Sequence, residues 1–322
     1  MDCSWILKEF AFTLADPICS IFNAPVRQCT VPTIWKSANV VPIPKVKPAL
    51  SVDSDLRPIS LTPTLSKLLE SFVGQWMLKA IGNNFDLKQF GGLRGRSTTH
   101  ALIDTLQTWY AALDADKLVR VLFIDYAKAF DHVDHSTILS KMATMGIPDF
   151  IIHWMFSFLA DRQQRVKIGN YLSQWVKLNG GMPQGTWLGL YIFLILINDL
   201  KSTEVQLDKY VDDVTATETL GKDELSNMQQ VLDDVHNWST NNHMNINVKK
   251  TKEMLLGAVN RNPTPAALQL AGRSIECVQS FKLLGVTVNM NICHKNSFIF
   301  CKNNSLRKFC ACFSHSARKL NA

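Results

Sequence analysis

A short apolar run that ends in a carboxylate is the feature that most restricts the fold of this chain. Residues 118–124 are apolar except for Arg120, and Asp125 follows directly. A continuous apolar run of this length is typical of a buried strand. A carboxylate at the end of such a strand is costly unless it is paired or bound to a metal ion. The sequence therefore predicts a buried strand that delivers an acid to a polar site.

A second acidic feature lies about 90 residues further on. Asp212 and Asp213 are adjacent and are flanked by Tyr210, Val211 and Val214, a pattern that indicates the tip of a tight hairpin. Neighbouring carboxylates repel each other, and divalent cations relieve that repulsion. Three such acids can hold two Mg²⁺ ions about 3.5–4 Å apart. Taken singly, each acid also fits an ordinary turn or helix cap, and the spacing does not separate a polymerase from a nuclease or a phosphatase.

The periodicity of the rest of the chain predicts an α+β fold. Helical spacing is found at residues 4–24, 64–80, 98–113, from about 136, 150–159, 187–200 and 223–238. Strand patterns are found at residues 39–41, 118–124, 253–256 and 281–288, and as a hairpin at 165–168 with 172–178.

The charge of the chain is unevenly distributed. The net charge is +7, and six of these charges lie in residues 291–322, which contain no acid. A basic balance favours an anionic partner such as nucleic acid or a membrane surface. The same tail contains four of the eight cysteines and two histidines, so it is either a zinc site of unusual spacing or a tail with unpaired thiols.

The sequence indicates an intracellular protein, in the cytoplasm or the nucleus, that is not secreted and does not enter a membrane. The longest strongly apolar run, residues 187–197, is about half of the ~20 residues that a membrane span requires. The N-terminus does not have the pattern of a secretory signal. In a reducing setting the cysteines are expected to be free thiols.

Several segments resemble, in order, the sequence blocks of reverse transcriptases of non-LTR (LINE-like) retrotransposons. The two that carry the acids are residues 123–131, FIDYAKAFD, and 210–213, YVDD. The others are 55–61 (DLRPISL), 89–91 (QFG) with 95–98 (GRST), 181–186 (GMPQGT) with 197–200 (INDL), Asn247 with 250–251 (KT), and 281–286 (FKLLGV).

The resemblance implies a right-hand polymerase fold with fingers and palm. The palm is expected to be an antiparallel sheet backed by helices, and the thumb to be truncated or absent. Residues 1–30 are then an N-terminal helical extension, 31–290 the reverse transcriptase domain, and 291–322 a basic Cys-containing tail, a truncated or degenerate thumb. The chain is expected to be a fragment or relic of a retrotransposon protein.

The resemblance also implies a catalytic site. Asp125, Asp212 and Asp213 are expected to be the catalytic and metal-binding residues, with Asp213 supporting the other two. The expected cofactor is a pair of Mg²⁺ ions, with Mn²⁺ as an alternative. The expected partners are an RNA template, a DNA primer and dNTP substrates.

Five further residues are implied at the nucleotide. Phe130 resembles a steric gate under the incoming sugar, although a core aromatic fits the same pattern. Gln184 and Gly185 are expected to contact the nucleotide, and Arg57 to contact its triphosphate. Lys250 is expected to neutralise or protonate the leaving group, but a solvated lysine is an equal alternative.

Two other functions stay open. The first is a catalytically inactive nucleic-acid-binding relic of the same family, motivated by the basic tail, the missing thumb and Leu190, which stands where the family generally has proline. The second is another two-metal phosphotransfer enzyme such as a nuclease.

Overall fold

The computed structural model describes residues 4–257, 265–290 and 300–301. The helices in these residues are α1 (Ser4–Glu9), α2 (Ala11–Arg27), α3 (Val52–Asp55), α4 (Thr64–Ile81), α5 (Thr98–Asp114), α6 (His135–Thr144), α7 (Asp149–Leu159), α8 (Trp187–Ile197) and α9 (Met228–Asn241). The strands are β1 (Ser37–Pro44), β2 (Leu56–Leu61), β3 (Leu118–Ile124), β4 (Gln163–Ile168), β5 (Tyr171–Leu172), β6 (Val176–Lys177), β7 (Gln206–Tyr210), β8 (Asp213–Leu220), β9 (Lys252–Leu256), β10 (Gln269–Leu270), β11 (Arg273–Ser274), β12 (Glu276–Cys277), β13 (Ser280–Leu283), β14 (Val286–Asn289) and β15 (Phe300–Cys301).

The chain divides into two compact units. The first comprises Met1–Phe85 and Lys128–Asp199, and the second comprises Asp86–Ala127 and Leu200–Ala322. Each unit contains both helices and a sheet, which confirms the α+β class. The boundaries predicted at residues 30 and 290 stay predictions.

The first unit is built on a sheet with the strand order β2-β1-β4-β5, and β6 also pairs with β4. Strand β1 is antiparallel to β2 and parallel to β4. Burial alternates along β1, where Ala38 and Val40 are buried while Asn39 and Val41 are partly exposed. This alternation with period two is typical of a sheet that has one face on a core and the other in solvent.

The second unit contains a sheet with the strand order β12-β9-β3-β8-β7. Strand β3 lies in the middle, antiparallel to both neighbours, and every one of its residues is buried. The predicted strand at 118–124 is therefore confirmed residue for residue. One side of β3 packs against α5 and the β13–β14 hairpin, through Val119, Val121, Phe123, Trp109 and Val288.

Arg120 belongs to a buried polar network that the sequence pattern showed only as an interruption. Its Nε donates to Glu253 Oε1 at 2.6 Å, and its two terminal nitrogens donate to Ser226 Oγ at 2.8 Å and to the Ala266 carbonyl at 2.7 Å. The Arg120 and Glu253 side chains are only 3% and 5% exposed. A charged group can be buried in a central strand because an opposite charge and hydrogen-bond acceptors surround it.

Two predicted elements were wrong in their extent. The helix predicted from 223 begins at Met228, because Glu218 of β8 accepts the Asn227 N–H at 2.5 Å and so sets the start of α9 through a tertiary contact. The strand predicted over 281–288 is a hairpin, because Leu284 and Gly285 have positive φ values of 46° and 89° and turn the chain.

Further sequence predictions concern the N-terminal helix, the cysteines, a membrane span and the basic tail. The helical stretch at 4–24 is divided into α1 and α2 at Phe10. Among the described cysteines, Cys19, Cys29 and Cys277 are free. Within the described residues, no helix combines the length and apolar character that crossing a membrane requires. Apart from β15, the predicted basic tail and its zinc alternative lie outside the described residues.

Candidate active site

The first part of the site is the tip of the β7–β8 hairpin. Tyr210 and Asp213 are the last paired residues, so Val211 and Asp212 form a two-residue loop. The predicted tight hairpin is confirmed, with its tip one residue earlier than the Asp212-Asp213 step. Val211 has φ of 60°, at the first loop position, where such turns ordinarily have glycine. A β-branched residue in this region of φ is strained by on the order of 1–3 kcal/mol. The surrounding structure must therefore hold this loop in place.

The strand register brings the two acidic segments together. Ile124 pairs with Val214, so Asp125 follows β3 at the point where Asp213 begins β8. Both acids line one cavity of about 440 Å³ in the second unit. Other residues that line this cavity are Lys249, Lys250, Lys252, Ser280, Phe281, Lys282, Leu283 and Leu284. Two carboxylates with lysines on the same wall form a polar site at the end of an apolar strand.

The three carboxylates influence one another electrostatically. The pKa of Asp213 is raised to about 6, first by partial removal of the group from water and then by the negative charges of Asp212 and Asp125. Asp213 is exposed to solvent, and the repulsion by the two neighbouring carboxylates is the part of this cause that a bound cation would relieve. Lys250 supplies part of that compensation, with Nζ at 3.7 Å from Asp125 Oδ2.

The donor chemistry of these acids fits a divalent cation. Carboxylate oxygens are the ligands that Mg²⁺ and Mn²⁺ prefer, and mutual repulsion among three acids favours a bound positive charge. Across residues 4–257, 265–290 and 300–301, however, no group of three or more His, Cys, Asp or Glu side chains is arranged to hold a metal ion. The acids are thus neighbours without a ready-made three-ligand geometry.

The backbone around Asp125 is held by the segment that precedes β9. The Asn247 N–H donates to the Asp125 carbonyl at 2.7 Å, and the Asp125 N–H donates to Thr251 Oγ1 at 3.3 Å. The Thr251 side chain is fully buried. The family resemblance included Asn247 and Thr251 in one of its blocks but implied no role for either. Their contacts assign them to the positioning of Asp125.

The nucleotide residues other than Lys250 lie in the first unit, and three of them are associated with β2. The Ser60 N–H donates to the Gln184 carbonyl at 2.8 Å. Gly185 has φ of 100°, and a Cβ at this position would lie 3.3 Å from Ile59 Cγ2. Arg57 is exposed on the same strand. The absence of a side chain on Gly185 thus permits both the left-handed backbone and the close approach to β2.

Phe130 is half-buried in the first unit. Its ring stacks on Phe193 of α8, with the ring centroids 4.8 Å apart and the planes at 25°. Its carbonyl accepts the Met182 N–H at 2.8 Å. The ring therefore has a core contact on one side, as the alternative interpretation required, and keeps part of its surface exposed, as a gate requires.

Several solved structures share the fold of this chain. A structure of apo telomerase from Candida Tropicalis covers 87% of this chain with a TM-score of 0.57 and 14% identity, and the match covers 52% of that chain. Telomerase from the same organism in complex with a fragment of telomeric RNA has a TM-score of 0.52 and 15% identity, covering 87% of this chain and 49% of that one. At this level of identity the likeness shows the fold alone.

The sequence identifies the family. A sequence model of the family described as "Reverse transcriptase (RNA-dependent DNA polymerase)" matches residues 43–288, well over half of the chain. This chain therefore belongs to the reverse transcriptase family, as the ordered blocks predicted.

A curated relative places it with the mobile elements. The chain is 30% identical over 287 residues to the RNA-directed DNA polymerase from mobile element jockey of Drosophila melanogaster. The match covers 84% of this chain and 31% of that protein, so the chain spans about a third of the length of this relative. The predicted membership of the non-LTR retrotransposon reverse transcriptases is confirmed.

Proposed function

We propose that this chain is the RNA-directed DNA polymerase domain of a retrotransposon-derived protein and adds dNTPs to a primer 3′-hydroxyl. The observation that carries the proposal is the meeting of Asp125 and Asp213 at one cavity, next to the Asp212 turn, in a chain of the reverse transcriptase family. The five-stranded sheet of the second unit would be the palm sheet. The β1–β2 sheet of the first unit would belong to the fingers.

Asp125 and Asp212 would hold two divalent cations, with Asp213 supporting them. When bound, Mg²⁺ or Mn²⁺ ions lower the pKa of an attacking hydroxyl and neutralise a leaving pyrophosphate. The residues of the chain provide position and charge. Thr251 and Asn247 hold the backbone of Asp125, and the β7–β8 turn holds Asp212.

Lys250 would neutralise or protonate the leaving group. Its side chain is 68% exposed and lies 3.7 Å from Asp125, so it is held only by a loose ion pair. Such a lysine can move to a phosphate at little cost, since exposed ion pairs contribute at most about 1 kcal/mol.

The nucleotide-binding residues would act in three ways. Arg57 is exposed and can grip a triphosphate with two parallel hydrogen bonds. Gln184 and Gly185 would contact the nucleotide from the loop beside β2. The exposed part of Phe130 would crowd a ribose 2′-hydroxyl and so favour deoxynucleotides.

A primer-extension assay tests the proposal. The full chain would be given an RNA template with an annealed DNA primer, dNTPs and Mg²⁺, and the expected result is extension that depends on the metal. Asp212→Asn should abolish extension, whereas Asp223→Asn, at an exposed loop position, should retain it. A folded wild-type chain that does not extend the primer would refute the activity. Template degradation without dNTPs would instead indicate a nuclease.

A second candidate, nucleic-acid binding without turnover, is favoured by one face of the first unit. The β-sheet register places Arg165, Lys167, Trp175 and Lys177 on the same face, and the Arg165 guanidinium lies 4.3 Å from the centroid of the Trp175 ring. Basic side chains interleaved with an exposed aromatic are typical of surfaces that bind single-stranded nucleic acid. This candidate predicts salt-sensitive RNA binding that Asp212→Asn leaves unchanged, with no extension by the wild type.

A further inference from the structure

We infer that Gln89 is a positioning residue for Asp212, because its side chain holds the strained loop that carries this carboxylate. The inference rests on the proposed function for its catalytic meaning. Its structural part concerns only hydrogen bonds within the second unit. Gln89 lies in the loop that precedes α5, about 120 residues from the hairpin in sequence.

The side-chain oxygen of Gln89 accepts two hydrogen bonds. The Gln89 Oε1 atom accepts the Val211 N–H at 3.0 Å and the Gly91 N–H at 2.9 Å. The Gln89 side chain is buried, with 1% of the residue exposed. Water therefore cannot replace this acceptor, and removal of Oε1 would leave two buried N–H groups without their partner.

Gly91 permits the close approach that this contact requires. A Cβ on residue 91 would lie 2.6 Å from the Val211 nitrogen. The loop at 89–91 is thus pressed directly against the backbone of the hairpin tip. Only a residue without a side chain can occupy this position without displacing the turn.

The loop is itself anchored to β7. The Phe90 N–H donates to the Lys209 carbonyl at 2.8 Å, and the Lys209 N–H donates to the Lys88 carbonyl at 2.8 Å. The Arg96 guanidinium donates to the Gln89 carbonyl. Because β7 and Arg96 both hold the backbone around Gln89, its side chain can keep the Val211–Asp212 turn in a fixed position.

The orientation of the Gln89 side-chain amide follows from the Val211 and Gly91 N–H groups. Two N–H groups face Oε1, so the oxygen must occupy this position. The Nε2 donor has no hydrogen-bond partner among the residues that the structure describes. A glutamate at this position would keep an acceptor oxygen and remove the unsatisfied donor, but it would also bury a carboxyl group beside the acid-bearing turn. Gln89→Glu therefore tests the acceptor at Val211 and not the metal affinity of the acids.

The first experiment measures hydrogen exchange at the Val211 amide, by NMR of the full chain labelled with ¹⁵N-valine. Gln89→Met should accelerate exchange at Val211 by at least about tenfold, since the amide loses its acceptor. Gln89→Glu, which keeps an acceptor oxygen, should exchange more slowly at Val211 than Gln89→Met. The matched control is Gln230→Met on the exposed face of α9, which should leave Val211 unchanged.

The second experiment measures the effect on the acids. Mn²⁺ affinity, followed by electron paramagnetic resonance, should weaken about tenfold in Gln89→Met if a displaced Asp212 is the cause. In primer extension, kcat should fall by a similar factor while KM for the primer–template is unchanged. A Val211→Gly background should reduce the effect of Gln89→Met, because glycine adopts the turn without strain.

The outcomes distinguish the role of Gln89 at the turn from the polymerase activity. A folded Gln89→Met chain whose Val211 exchange rate lies within twofold of the wild-type rate would refute the proposed role of Gln89. If Gln89→Met does not fold, Gln89→Asn decides the question, because its shorter side chain withdraws the acceptor while remaining polar. Should the wild type fail to extend a primer, the proposed function is refuted, whereas Val211 exchange still decides the role of Gln89.

Discussion

Two hairpins of the second unit each turn through a two-residue loop, but the residues in the two loops differ. In the β13–β14 hairpin the loop is Leu284-Gly285, both with positive φ, and Gly285 is exposed. In the β7–β8 hairpin the loop is Val211-Asp212, and Val211 takes the positive φ. In the first turn a glycine occupies one of the two positive-φ positions, whereas the second turn contains no glycine and the Val211 N–H is bound by the buried Gln89 side chain. The difference shows that the acid-bearing turn is maintained by tertiary contacts rather than by its own residues.

The stems of the two hairpins differ as well. The β7 stem contains Asp208, whose carboxylate accepts the Thr105 hydroxyl at 2.6 Å in a buried position. The β13 stem contains Phe281, which stacks on Phe123 with centroids 3.8 Å apart. One hairpin is thus attached through a buried polar group and the other through an aromatic stack. Four predictions test this comparison.

The largest expected effect is a pH dependence that originates in the first stem. The pKa of Asp208 is raised to about 6, chiefly by burial and also by Asp104, against hydrogen bonds from Thr105 and Gln206 and the charge of Lys88. Between pH ~4 and ~6 the folded carboxyl keeps a proton that the unfolded chain has lost. The free energy of unfolding should therefore fall as the pH rises through this window, by at most about 3 kcal/mol.

Urea unfolding at a series of pH values measures this effect. Asp208→Asn should make the profile between pH ~4 and ~6 clearly shallower, because one of two titrating groups is removed; Asp213, whose pKa is also raised to about 6, keeps the remaining slope. The exposed acid Asp233 provides the control, since Asp233→Asn should leave the slope unchanged. A profile of Asp208→Asn as steep as that of the wild type would contradict the assignment.

The second prediction concerns the aromatic stem. Phe281→Ala should lower the free energy of unfolding by about 2 kcal/mol, since a half-buried ring and its stacking contact are lost. Phe281→Leu should recover part of this loss because it restores apolar volume. Equilibrium unfolding by urea measures both variants. An alanine variant as stable as the wild type would show that the stack does not attach this hairpin.

The third prediction concerns Gly285 in the loop of the β13–β14 hairpin. Gly285→Ala places a side chain at φ of 89° and should destabilise the protein by about 1 kcal/mol. Thr287→Ala, at an exposed position on the same hairpin, is the matched control and should have a smaller effect. Thermal or urea unfolding gives the comparison, and equal effects of the two changes would contradict the prediction.

The fourth prediction is the smallest and has the opposite sign. Val211→Gly should stabilise the protein by about 0.5 kcal/mol, since relief of the positive φ outweighs the added flexibility of the unfolded chain. The same urea measurements test it. A loss of stability would show that the Val211 side chain contributes more by its contacts than it costs by its backbone.

The predictable parts of the molecule were those with a local signal. The apolar run at 118–124 determined β3, and the Asp212-Asp213 step in an apolar setting located a hairpin tip. The strand assumed over 281–288 was wrong, although Leu284-Gly285 contained a turn signal. The start of α9 was also wrong, because the Glu218 contact that sets it comes from another element.

The site was predictable in its residue types but not in its supports. Asp125 and Asp213 adjoin because β3 and β8 pair over some 90 residues of intervening sequence. The contacts of Thr251 with Asp125 and of Gln89 with Val211 each span more than 100 residues. No periodicity or spacing reports such contacts, since they depend on the packed arrangement of several elements.

The sequence by itself determined the α+β class, the buried central strand, the acids at two chain positions and membership of the reverse transcriptase family. Each follows from local hydrophobic pattern or from ordered motifs. Only the tertiary structure decided that Arg120 pairs with Glu253, that Asp125 and Asp213 share a cavity, and that Gln89 holds the strained turn. The physical reason is that buried polar groups must find partners wherever the fold places them, and those partners are distant in sequence.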